Sequence, residues 1–172
     1  AYCDVLSQGG SLYFVLRAHT SGSSFDPIAQ NEDGYLYNLI LAAPEQPYDV
    51  GMFHASVIPS GGGLLLQHVA TRSFILPIGF AGNTAFLRAP VDTDSIALPI
   101  QRNGEPIGQI EFNVGEGIVG TSDGQLGSFV ASDPDAEITF ARTDRLTVLA
   151  PTAADGVAAD LSITFAGRAG SV

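Results

Sequence analysis

The chain contains no tryptophan and no lysine, and only one cysteine and one methionine among its 172 residues. Without Trp, the largest flat aromatic surface a side chain can offer is missing, so any stacking on a ligand falls to Tyr or Phe. A lone cysteine, Cys3, excludes an internal disulfide and leaves the redox compartment unread. No apolar run reaches the roughly 18 residues that a spanning helix needs, so no membrane insertion is expected. No signal-peptide pattern is visible, and there are no heptads of the kind that specify a coiled coil. The cations are seven arginines against 18 acids, a formal net charge of −11. That excess repels phosphate, which argues against nucleic acid or an anionic membrane as a partner and suits solubility in a salty or extracellular setting.

What is abundant is turn chemistry: 20 glycines and 10 prolines, spread so that apolar runs stay short. The clearest local signal lies at Ser95 to Phe112. Ile96, Leu98 and Ile100 alternate with Ala97, Pro99 and Gln101, the two-residue period of a strand with one buried face. Asn103-Gly104 follows, suited to a tight hairpin because both central residues of a type I′ turn need positive φ. The return arm carries Ile107, Ile110 and Phe112. Their odd spacing predicts a bulge, for which Gly108 is the natural place. Pro99 has no N–H to give, which predicts that the first arm lies near a sheet edge.

Further strands are expected at Leu12 to Leu16, Tyr35 to Ala42, Tyr48 to Val57, Leu64 to Val69, Phe74 to Ile78 and Ala85 to Leu87. Later in the chain they are expected at Ser128 to Ala131, Ile138 to Phe140, Leu146 to Leu149 and Leu161 to Ala166. In the last of these Leu161, Ile163 and Phe165 share a face. Short strands with turns between them predict an all-β chain whose larger part is an antiparallel sandwich or jelly roll. The two prolines of Ala43-Pro44-Glu45-Gln46-Pro47 read as a stiff linker. They divide the chain into a small β segment, 1–46, and a main domain, 47–172.

Catalytic and metal-binding patterns are sparse. His19, His54 and His68 lie far apart with no paired spacing, so no metal site is expected and no cofactor is implied. Gly120-Thr121-Ser122-Asp123-Gly124 fits G-x-S-x-G by letter, but it follows a glycine-rich loop and no helix pattern comes after it, so it does not read as a nucleophile elbow. Gly61 to Gly63 is followed by neither lysine nor a helix pattern. Asp92 with Asp94, and Asp133 with Asp135, could offer oxygens to Ca²⁺, but such pairs are ordinary features of solvated turns. No catalytic residues are expected.

Two resemblances enter on specific phrases. Asp4-Val5, Gly10, Tyr13, His19-Thr20-Ser21 and Tyr37 resemble the small chitin-binding type carbohydrate modules that recur in phage tail and fibre proteins. Tyr37 stands where that family closes on tryptophan. The resemblance implies a saccharide platform built from Tyr13, Tyr35 and Tyr37, with His19 beside it as a hydrogen-bonded residue. The reading from residue types alone places the same tyrosines in the core of a mini-domain.

Over residues 48–168 the ordered phrases are YDVGMF, PSGGGLL, TRSFILPIGFAGN, IQRNGEPIGQIEF with GEGIVG, RTDRLTVLAP and ADLSITFAGR. Together they are similar to the C-terminal β-domain of tailed-phage fibre proteins and of gene transfer agents. In that family the recurrent phrases are a K-N-G-x-x-I-G-T-I-F hairpin, a G-D-x-L-x-V-x-A-P strand and an A-D-I-x-x-T-L-x-G-T-R ending. Thr143-Asp144 stands in place of the Gly-Asp, and Ala166-Gly167-Arg168 in place of the closing Gly-Thr-Arg.

The resemblance implies a non-enzymatic virion structural protein, a fibre or spike on head, neck or tail, at the virion surface. Its partners would be other virion proteins and host surface polysaccharide, and it would be a homo-oligomer, in such fibres usually a trimer. Two further readings follow from the same residues: an architectural decoration or adaptor that binds no glycan, and a secreted polysaccharide-degrading enzyme with two carboxylates in a cleft.

Overall fold

The computed structural model describes residues 5–8, 11–15, 37–41, 46–120, 124–153 and 155–170. The chain separates into two compact units, Ala1–Glu45 and Gln46–Val172. The division falls within the two-proline segment.

In the first unit β1 (Val5–Gln8), β2 (Ser11–Val15) and β3 (Tyr37–Leu41) form a three-stranded antiparallel sheet in that order. Two of these follow apolar runs in the sequence. The strand β1 is short and mixed in character, and its period is too brief to read.

The second unit is built from two larger sheets. One pairs β4 (Val50–Val57), β14 (Ala159–Phe165), β7 (Thr84–Ala89) and β10 (Gln125–Leu126), in that order. The other pairs β5 (Leu64–Val69), β13 (Arg145–Leu149), β8 (Ile96–Arg102), β9 (Glu105–Phe112) and β11 (Ser128–Ala131). Setting aside β11 and a small third sheet leaves eight principal strands. One large sheet holds the first, eighth, third and sixth of these, and the other the second, seventh, fourth and fifth. That order is the double Greek key of a jelly roll, in which every chain-adjacent pair except one crosses between layers. The third sheet, β12 (Ile138–Phe140), β6 (Phe74–Leu76) and β15 (Arg168–Ala169), adds a short antiparallel flap.

The inner faces of both layers meet in one core. Leu87, Leu161, Ile163 and Phe165 come from the first sheet, and Leu98, Ile100, Ile110, Phe112, Leu146 and Val148 from the second. Alternation explains why these residues turn inward. In β14 the buried residues are Leu161, Ile163 and Phe165, with exposed Ser162 and Thr164 between them. The sandwich is therefore the expected antiparallel all-β domain.

Two details of the central hairpin differ from the sequence expectation. Strand β8 is not at an edge but third in its five-stranded sheet. Pro99 is accommodated there because the ladder to β13 ends at Ile100 opposite Val148, so at Pro99 no β13 residue needs its amide. The bulge is present, with Ile100 opposite Gly108 and Gln101 opposite Pro106, so the unpaired extra residue is Ile107 rather than Gly108. Gly108 is nonetheless required. A Cβ there would meet the Val130 carbonyl oxygen at 2.5 Å and the Phe80 ring at 2.6 Å. Strand β6 is also shorter than expected. It stops at Leu76, where Pro77 leads into the 3-10 turn Ile78–Phe80.

Candidate functional site

The residues that the carbohydrate-module resemblance singles out belong to the first unit. In its sheet Tyr13 pairs with Leu39, and Tyr37 pairs with Val15. Tyr13 and Val15 are two residues apart and so share a parity. The positions of Tyr13 and Tyr37 therefore fall on one face of the sheet, one diagonal step apart, a separation of about 7–8 Å in an antiparallel ladder. Tyr35 and His19 lie outside the described residues.

The second unit offers three contrasting places. The first is a shallow depression of about 210 Å³ at the bulged hairpin, lined by Pro99, Pro106, Gly108, Gln109, Val130, Ala131 and Ser132. No carboxylate, imidazole or thiol lines it. Ser132 brings a hydroxyl to it, but the lining holds no side chain that would serve as a general acid or base beside that hydroxyl.

The second is an aromatic stack. Tyr48 lies 4.6 Å from Phe74 at 12°, and Phe74 lies 4.5 Å from Phe140 at 6°. The Arg72 guanidinium sits 5.0 Å from the centre of the Tyr48 ring, and the Tyr48 hydroxyl is 3.2 Å from Thr71 Oγ1 and 3.4 Å from His68 Nε2. Partial burial pushes the His68 pKa down. With Phe74 and Arg72 on its ring, Tyr48 has little face left for a sugar, and the stack serves to cap the core. Tyr48, expected from the sequence to open the first strand of this unit, lies two residues before β4 begins.

The third is the acidic loop at Asp92 and Asp94. Asp155, from a distant turn, accepts hydrogen bonds from the amides of Asp92, Thr93 and Asp94 and from the Thr93 hydroxyl, at 2.9 to 3.2 Å. Partial burial opposes ionisation of this carboxylate. The amides of Asp94, Thr93 and Asp92 and the Thr93 hydroxyl outweigh that and hold its pKa down to about 2. The loop amides therefore point at a protein carboxylate, and the Asp92–Asp94 loop is an anion nest filled from within. Asp133 is similarly occupied, with its Oδ1 accepting from the Asp135 amide at 3.1 Å. Among the described residues no group of three or more His, Cys, Asp or Glu side chains converges as metal ligands.

No family model, curated protein or solved structure matches this chain.

One joint of the fold lies where the tip of the β8–β9 hairpin meets the turn before β13. Asn103, at φ 53°, donates from Nδ2 to Asp144 Oδ1 at 2.7 Å, and its Oδ1 accepts from the Arg145 amide at 2.8 Å. The Asn103 amide in turn donates to the Arg145 carbonyl at 2.9 Å. Asp144 Oδ2 accepts from the Ala141 amide at 2.9 Å. The Asn103 side chain first, then the Ala141 amide and the nearby Arg102 charge, lower the Asp144 pKa against slight desolvation. A second joint holds the closing Ala166-Gly167-Arg168. Gly167 accepts from the Tyr48 amide at 2.8 Å, and Arg168 pairs with both Glu137 oxygens at 3.0 and 2.8 Å.

Sequence reading missed Gln125, which is fully buried at the start of β10. Its Oε1 accepts from the Val91 amide at 3.0 Å, and its Nε2 donates to the Asn113 and Glu116 carbonyls at 2.6 and 2.9 Å. One amide side chain thus organises the glycine-rich loop after β9.

Proposed function

We propose that this chain is a non-enzymatic fibre or spike protein of a phage-like particle, displayed at the particle surface and aiding attachment to host polysaccharide. The observation that carries the structural half is the Asn103–Asp144 bond. The N-G hairpin and the R-T-D-R-L strand, two of the phrases through which the chain resembles fibre domains, are 41 residues apart yet fasten to each other. The phrases are thereby accounted for as the joints of a scaffold, as the closing A-G-R also is, and none of them needs a reaction to explain it.

The attachment half rests on the shared parity of Tyr13 and Tyr37 in the first unit's sheet. Two aromatic residues at strand positions so related would suit the apolar faces of neighbouring sugar rings. Each contact would be weak, and attachment would come from several copies on one particle acting together.

The test is retention of the purified chain on insoluble chitin and on purified bacterial surface polysaccharide, for the wild type and the Tyr13→Ala and Tyr37→Ala variants. Circular dichroism on the same samples reports the fold. Saturable retention lost in folded variants supports the reading. A folded wild type that none of these polysaccharides retains overturns the attachment half and leaves a purely architectural role.

A further inference from the structure

The outward face of the four-stranded sheet carries exposed apolar and small side chains in ordered rows. Strand register places Phe53, Ser162, Phe86 and Leu126 in one row across β4, β14, β7 and β10. The neighbouring row on one side is Gly51, Thr164 and Thr84. On the other side Asp160 lies opposite Arg88, between the pairs Ala159–Ala89 and Leu161–Leu87. Phe53 is 58% exposed and Leu126 49% exposed, large values for apolar side chains in regular strands. Phe86 is half-buried because its ring lies against Gly124, where a Cβ would come within 2.1 Å of it.

On a chain of net charge −11, the charges in these rows are one anion and one cation side by side. These rows thus add no local excess of acid to the repulsion between two copies, and salt screens the long-range part of that repulsion.

We propose that two copies of the chain pack through this face about a two-fold axis parallel to the strands and midway between β7 and β14. Such an axis exchanges the two central strands. It sets Phe86 of each copy over Ser162 of the other, large against small, and Thr84 over Thr164. It also sets Phe53 over Leu126 at both flanks, and Arg88 over Asp160 twice. Each contact occurs in duplicate, as an isologous interface requires. Facing sheets stacked about 10 Å apart accommodate these side chains. A face four strands wide is small beside the roughly 800 Å² per partner of a standard interface, so the expected association is a weak, reversible one.

This inference is independent of the glycan reading and is tested without any sugar. Mass is measured by sedimentation equilibrium on the full chain from about 1 to 200 µM, for the wild type, Phe53→Asp and Arg88→Glu. The expected result is a monomer–dimer equilibrium in the wild type. Its dissociation constant rises about a hundredfold in Phe53→Asp, because two Phe side chains lose their cover at once. Arg88→Glu weakens it by setting acid against Asp160, and adding Asp160→Asn, which removes that like-charge contact, restores part of the affinity. Asn retains an acceptor for the Ser56 amide now bonded to Asp160 at 3.1 Å, and it tolerates the φ of 56° at that position. Both parent side chains are at the surface, so the variants are expected to fold, and circular dichroism verifies this. A wild type that stays monomeric at 200 µM overturns the proposal. So does an oligomer, a trimer included, whose mass and affinity do not respond to Phe53→Asp.

Discussion

Asn103 and Asp144 bind each other across two turns, with the amide nitrogen of one 2.7 Å from a carboxylate oxygen of the other. The hairpin tip is thereby attached to the strand beside it at a point where the β8–β13 ladder gives out. Asn103→Asp replaces the donor with a second acid facing Asp144. It is expected to lose about 1–3 kcal/mol of stability at neutral pH, more than Asn103→Gly, which keeps the positive φ and only removes bonds. Urea unfolding of the two variants checks this, and the Asn103→Asp deficit should shrink in acid as the facing carboxylates neutralise.

Asp155 gives the fold a specific acid sensitivity. Its pKa is about 2 in the folded chain, against an ordinary 3.8. A depressed carboxylate stabilises the fold wherever it is ionised in both states, above about pH 4. That contribution drains away as the pH falls toward 2. Asp155→Asn should therefore unfold at a lower temperature than wild type at pH 6, and the gap should narrow steadily as the pH falls from 4 to 2. Thermal melts across that range decide it, and a gap as wide at pH 2 as at pH 6 would show the bonds to be independent of charge.

Gly108 is fixed by space. Gly108→Ala drives a methyl against the Val130 carbonyl and the Phe80 ring, with an expected loss of at least about 2 kcal/mol. Gly104→Ala, at φ 94° with nothing within 4 Å, should lose only about 1 kcal/mol from backbone strain. Equal losses would mean that the bulge can relax.

Gln125→Leu has nearly the same volume and removes one acceptor and two donors from a buried site. Three backbone groups, at Val91, Asn113 and Glu116, would be left without their partner. The expected loss is about 2–4 kcal/mol, with faster amide hydrogen exchange over 113–120 than in wild type.

The hairpin was legible in the sequence down to its turn because a two-residue period, Asn-Gly and an odd spacing all act locally. Pro99 misled because the rule against proline in a central strand concerns hydrogen bonds, and the sequence does not reveal where the β13 ladder stops. Strands β10 and β15 are two residues long, too short to carry any period. Gln125 is polar by composition, and its burial depends on three carbonyls and amides that only the fold brings to it. Of the proposed sugar-contacting residues, the like parity of Tyr13 and Tyr37 depends on strand pairing, which residue types do not reveal.

The path of the chain through the jelly roll also governs how the domain would bear load. The first strand β4 and the last long strand β14 are antiparallel neighbours, and beyond them the Ala169 amide still reaches the Gln46 carbonyl at 2.7 Å. The two ends of the second unit thus leave from the same point. Tension applied between them would open the β4–β14 ladder like a zipper, one hydrogen bond at a time, instead of shearing many at once. A domain tethered at only one of these ends would not feel that weakness, whereas one pulled by both would begin to unravel at Gln46 and Ala169 while the hairpin joint at Asn103 remained intact.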